Sequence, residues 1–139
     1  MRYLLLAAVV LMAGSAALAR HQVPTQKSPF PPDYIPSGSV MYAQTCASCH
    51  GIDGKGHGPV AAMLKASPPD LTTLSKRHGG KFPRDYVTSV ILGGINSPSH
   101  GPAGMPVWGP IFQVLDRNNK QAVLRRVKNL CDYLETLQQ

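Results

Sequence analysis

Five consecutive residues, Cys46-Ala47-Ser48-Cys49-His50, place two thiols and an imidazole at a spacing with a chemistry of its own. Two thiols separated by two residues match the two vinyl groups on one edge of a porphyrin, and each can add across one of them to form a thioether. The imidazole that follows directly can then reach the iron on one face. This is the CxxCH pattern of covalent haem attachment. Two other chemistries use the same pair of thiols. A thioredoxin-like redox pair belongs in a βαβ setting, and a structural zinc site wants four ligands, usually from a second CxxC or a spaced His pair. No second pair occurs, and the third cysteine, Cys131, stands alone. An odd number of cysteines also argues against a disulfide scaffold.

Iron held by His50 has a second axial position, and a soft or nitrogen donor is expected there. The candidates are Met41, Met63, Met105, His21, His57, His78 and His100. Met41 precedes the attachment site on the same expected helix and is badly placed. Met63 falls on a short expected helix, where a core role is the default. Met105 lies in Gly101-Pro102-Ala103-Gly104-Met105-Pro106-Val107-Trp108-Gly109, whose glycines and prolines give a stiff, close-fitting path over the far face. Met105 is therefore the expected ligand, with His100 as runner-up. His57 and His78 read as exposed loop residues.

These groups need elements to hold them. Residues 1–19 read as a signal peptide: Met1-Arg2, an apolar run from Tyr3, and Ala17-Leu18-Ala19 before a cut at Arg20. Residues 20–36 are a proline-rich leader. The domain proper is expected over 37–139. Its first helix starts near Ser37, with Ser37 or Ser39 as cap, and reaches about Cys46, with Val40, Ala43 and Ala47 as a buried stripe. A loop with four glycines between Gly51 and Pro59 follows, then a short helix over 60–65. Pro83 opens a helix to Leu92, with Val87, Val90 and Ile91 apolar and Gly93-Gly94 ending it. Residues 95–110 read as loop. The last helix runs from about Asn118 to Leu137, with Asp116 or Asn118 as cap and Leu124, Val127, Leu130, Leu134 and Leu137 on one face. No segment alternates with period two. The expected fold is all-α and loop-rich, about four short helices around one covalently bound haem, whose porphyrin supplies the apolar surface that so thin a helical core lacks.

Around the CxxCH stand further features. Gly38 and Tyr42 precede Cys46 by eight and four residues. Leu130-Cys131-Asp132-Tyr133-Leu134 lies in the last helix, and Met105-Pro106-Val107-Trp108-Gly109 follows the loop. In these the sequence resembles a class I cytochrome c from about Ser37 to Leu137. The resemblance implies that Gly38 lets the first and last helices cross closely, with Tyr42 and Tyr133 packed at the crossing. It implies that Pro59 supplies the carbonyl accepting from the His50 Nδ1–H, and that Trp108 forms a wall of the haem pocket. Cys131 departs from the family's usual residue and reads as a buried small hydrophobe.

The chain carries a formal charge of +7. Export, short basic runs and no interleaving of aromatic with basic residues argue against nucleic acid; acidic docking partners or a membrane surface remain. The expected function is one-electron transfer by a periplasmic His50/Met105 haem c protein, not an enzyme. Its partners would be membrane respiratory complexes or periplasmic dehydrogenases, met either as a free monomer or as a subunit of an oxidoreductase. A haem enzyme or gas sensor with a labile sixth ligand is the competing expectation.

Overall fold

The computed structural model describes residues 30, 31, 33–93 and 105–139. Among them are six α-helices, two 3₁₀ turns and no strand. The helices are α1 (Gly38–Thr45), α2 (Ala47–His50), α3 (Leu74–Arg77), α4 (Arg84–Leu92), α5 (Trp108–Leu115) and α6 (Lys120–Thr136). The signal-peptide and most of the leader expectations, Gly94 and the loop to Gly104, His21 and His100 lie outside the described residues.

The chain is organised by the crossing of α1 over α6. A Cβ at Gly38 would overlap the carbonyl of Asn129 and press on the Tyr133 Cβ, so only glycine permits this approach. The contact fixes which side of α1 faces inward. Gly38, Met41 and Tyr42 follow at i, i+3 and i+4 and are buried. The expected stripe is thus displaced: Val40 and Ala43 are exposed and Ala47 half-buried. Tyr42 and Tyr133 meet with ring centroids 5.3 Å apart, and the Asn129 side chain donates to the Pro36 carbonyl (3.1 Å).

The helix ends follow local chemistry. The Ser37 hydroxyl accepts from the Val40 N–H, and Asn119, not Asp116 or Asn118, caps α6 by accepting from the N–H groups of Gln121 and Ala122. Gly93 closes α4 in the left-handed region at φ 86°. Residues 60–65 hold only the 3₁₀ turn Ala61–Met63, with Met63 exposed rather than in the core.

Two helical stretches were not expected. Asp70 caps the 3₁₀ turn Leu71–Thr73, accepting from the Thr72 N–H at 2.7 Å, and α3 continues from it. The C-terminus stitches this stretch down. Gln138 accepts from the Ser75 N–H (2.8 Å) and donates to the Leu71 carbonyl (2.9 Å). The other is α5, in sequence expected to be partly loop. Pro110 sits in its first turn, where no N–H is needed. A turn with Arg117 and Asn118 both at positive φ joins α5 to α6. Asp116 and Arg126, with side chains 6% and 12% exposed, clamp the two helices with an ion pair at 2.8 Å.

Candidate functional site

The Cys46–His50 pentapeptide is the one-turn helix α2 and its cap. The N–H groups of Cys49 and His50 both donate to the Cys46 carbonyl (3.1 and 2.9 Å). Both thiols are thereby presented beside His50, half-buried and without a disulfide. Burial pushes the Cys46 thiol pKa up, in part offset by a hydrogen bond with the Thr45 hydroxyl.

His50 is buried. Its Nδ1 lies 3.1 Å from the Pro69 carbonyl, and a carbonyl can only accept, so Nδ1 carries the proton. Nε2 is then the nitrogen suited to ligate iron, with its basicity raised by the bond on the other side of the ring. The acceptor is not Pro59, which is exposed and lies in the turn against α2. The physical reason is the path of the glycine loop. The Gly58 and Val60 N–H groups bond back to Cys49 and Ser48, which ties Pro59 to the outer side of α2. The segment that reaches under the ring is Pro68-Pro69. It approaches so closely that a Cβ on Gly56, itself at φ 86°, would overlap the Pro68 carbonyl. The Leu71 N–H bonds to Gly54 (2.7 Å) and holds the segment there. Beneath, the Tyr42 hydroxyl donates to the Gly51 carbonyl (2.7 Å), and burial raises the Tyr42 pKa above the ordinary tyrosine range.

Two adjoining cavities, of about 190 and 60 Å³, open over this floor. Both are lined by Cys46, His50, Pro69, Met105 and Trp108. The structure thus brings together five of the six expected site residues, with Cys49 lining the smaller cavity, and leaves out Pro59. The larger cavity is walled by Leu71, Leu74, Val87, Ile91, Leu130 and Leu134, with a polar end made by Arg77, His78 and Tyr86. Of these three, the sequence offered only Arg77, as one of the basic residues that could rim the haem edge; His78 read as an exposed loop residue. Arg77 ends α3 and His78 follows it as the cap, on a stretch whose only sequence signal is the Asp70 cap. His78 donates from Nδ1 to the Leu74 carbonyl (2.8 Å) and packs on Tyr86 with centroids 5.3 Å apart.

A flat apolar group with acidic substituents fits this donor set: a thioether-forming edge, a buried imidazole with its outer nitrogen engaged, aliphatic walls and a polar end. Among the described residues, no three His, Cys, Asp or Glu side chains converge as a metal cage. Fold and site together define an all-helical protein with covalently attached haem. The cytochrome c family profile matches residues 35–138, and the chain belongs to that family. Its cofactor is haem c, joined through Cys46 and Cys49, and its chemistry is electron transfer. One curated relative is a cbb3-type cytochrome c oxidase subunit, FixP, of Sinorhizobium medicae, 29% identical over 84 residues. The match spans 60% of this chain and 24% of the relative's length. No solved structure gives a significant match.

Proposed function

We propose that this protein is an exported one-electron carrier of a respiratory chain, with iron held between His50 and Met105. The observation that carries the reading is the placement of His50 and Met105 on the walls of the same two cavities, beside Cys46. Bound haem c supplies a one-electron couple. The remaining work falls to the chain. Pro69 fixes the tautomer and orientation of His50. Met105 would serve as the second iron ligand, leaving oxygen and peroxide no open site. The aliphatic walls keep water out and disfavour the extra positive charge of the oxidised site, which raises the potential, as Met ligation also does. Arg77, His78 and Tyr86, which line the larger cavity, would hold the haem carboxylates. Trp108, packed on Phe112 with centroids 5.8 Å apart, forms the wall next to Met105. Cys46 and Cys49, half-buried, mark the edge at which electrons enter and leave.

In this reading residues 1–19 direct export to the periplasm and are removed, 20–36 form a leader, and 37–139 form the domain. The relative's name associates that protein with an oxidase. By extension this chain would serve membrane respiratory complexes or periplasmic dehydrogenases, as a free carrier or as a subunit. The competing function, a haem enzyme or gas sensor, needs Met105 off the iron.

Met105→Ala tests both. The expected result is retained covalent haem, a lowered midpoint potential and loss of the red-region absorbance band of ferric Met ligation. A wild-type protein that lacks this band and binds carbon monoxide readily in the ferrous state would establish the enzyme or sensor reading instead.

A further inference from the structure

Helix α5 is apolar on two sides. Trp108 and Phe112 face the core. Val107, Ile111, Val114 and Leu115, at i, i+4, i+7 and i+8, form a second stripe that is 51%, 39%, 77% and 61% exposed. Leu124, near the start of α6, is exposed as well. A surface helix needs one apolar face, and a run of bulky aliphatics on the other marks a contact with something else. The charges at the same corner all have one sign. Arg117 lies in the α5–α6 turn, Lys120 opens α6 and Arg125 follows Leu124, all three exposed. The acid among them, Asp116, is turned inward and paired with Arg126.

We propose that the α5–α6 corner docks on an anionic phospholipid bilayer. The aliphatic stripe enters the headgroup region, and Arg117, Lys120 and Arg125 meet lipid phosphates. An apolar face collared by basic residues is the composition of an interfacial membrane helix, and each such basic residue adds attraction to an anionic leaflet. A protein partner fits less well. The stripe has no Trp, Tyr or other hydrogen-bonding side chain, whereas protein hot spots favour Trp, Tyr and Arg and rarely use Val or Leu. Nor does any residue of the stripe line the cavities over the haem floor or the third one, between His78 and Glu135. It presents a face and not a recess. No described helix is long and apolar enough to cross a membrane, so this contact lies on the surface. It would confine a carrier to the plane in which its partners sit.

The test is co-sedimentation of the haem-loaded protein with phosphatidylcholine vesicles, with and without phosphatidylglycerol. Wild type and variants carry the same N-terminus, checked by mass, so that its contribution cancels. Wild type is expected to bind only vesicles containing phosphatidylglycerol, and less as salt rises. Val114→Asn with Leu115→Gln should lower the partition coefficient about tenfold or more. Arg117→Gln with Lys120→Gln should lower it by a similar factor, about fivefold per charge. Both pairs should keep the wild-type haem spectrum and midpoint potential, since none of these residues lines the haem cavities. Indifference of wild type to phosphatidylglycerol, or variants that bind like wild type, would overturn the proposal. So would a wild-type dimer in sedimentation that Val114→Asn with Leu115→Gln dissociates, because the face would then join two copies of this chain. A chain that fails to attach haem would instead strike at the proposed electron-transfer function and leave the vesicle result readable.

Discussion

The two walls of the haem cavity are held by different means. On the His50 side, backbone bonds do the holding: Gly56 to His50, Gly58 to Cys49, Val60 to Ser48 and Leu71 to Gly54. On the Met105 side, helix packing does it. Trp108 stacks on Phe112, Gly109 sits where a Cβ would overlap the Leu92 carbonyl, and the Asp116–Arg126 pair ties α5 to α6. Directional backbone bonds leave one geometry for a ligand. Packed side chains and a single ion pair allow small displacements at moderate cost. The histidine wall thus serves attachment, and under the proposed His50/Met105 ligation the methionine wall is the one through which the potential would be adjusted.

Three substitutions would break or sharpen that contrast. Gly38→Val should have the largest effect. Its side chain collides with backbone of α6, beyond the ~1–3 kcal/mol of ordinary overpacking, and the floor under α2 loses its support. Protein that accumulates without covalent haem, scored by haem-stained gels, is the expected outcome; normal haem loading would mean that the crossing does not govern attachment. Asp116→Asn should come next. Removing one partner of a nearly buried ion pair costs about 3 kcal/mol. Denaturant unfolding should report that loss in protein that keeps its haem, and redox titration should show a lowered midpoint as α5 and Met105 loosen. An unchanged midpoint would detach the methionine wall from the clamp. Tyr42→Phe should be mildest, losing about 1 kcal/mol with its bond to the Gly51 carbonyl and leaving the midpoint where it was. It also carries a pH signature. Burial raises the Tyr42 pKa above the ordinary tyrosine value of about 10, so the native state holds that proton more tightly than the unfolded chain. The stability involved is intact below pH 10 and is lost as pH rises through the native value. The phenylalanine variant should lack this alkaline loss, which denaturation midpoints on either side of pH 10 would reveal.

Side-chain chemistry was legible in the sequence where it acts locally. CxxCH, a serine cap at 37 or 39 and Gly93 as stop announce themselves in residue type, and the close approach at Gly38 came from the family resemblance. What could not be read depends on partners distant in sequence. The acceptor for His50 is a backbone carbonyl, which leaves no mark on residue type; the family resemblance pointed to Pro59, and loop routing gave the part to Pro69. Helix α5 was hidden because Pro106, Gly109 and Pro110 punctuate it, although Pro110 falls where a helix tolerates proline. The inward side of α1 was misassigned because Val40 outranks Gly38 as an apolar residue, while the α6 backbone selects the glycine side. The place of His78 was missed because the stretch leading to it is held by Asp70 and Gln138, a pair far apart along the chain.

The Gly38–Asn129 contact also orders events in time. It joins the beginning of the domain to its end, and so closes a loop that spans nearly all of it. If the chain is exported as proposed, α1 has no α6 to pack on until residue 129 has emerged from the translocation pore, and the pentapeptide beside it stays an open stretch of chain until then. The interval between the emergence of Cys46 and that of Asn129 is the time in which haem can be joined without displacing any folded structure. A longer wait for α6 would widen that window, and a faster closure would narrow it.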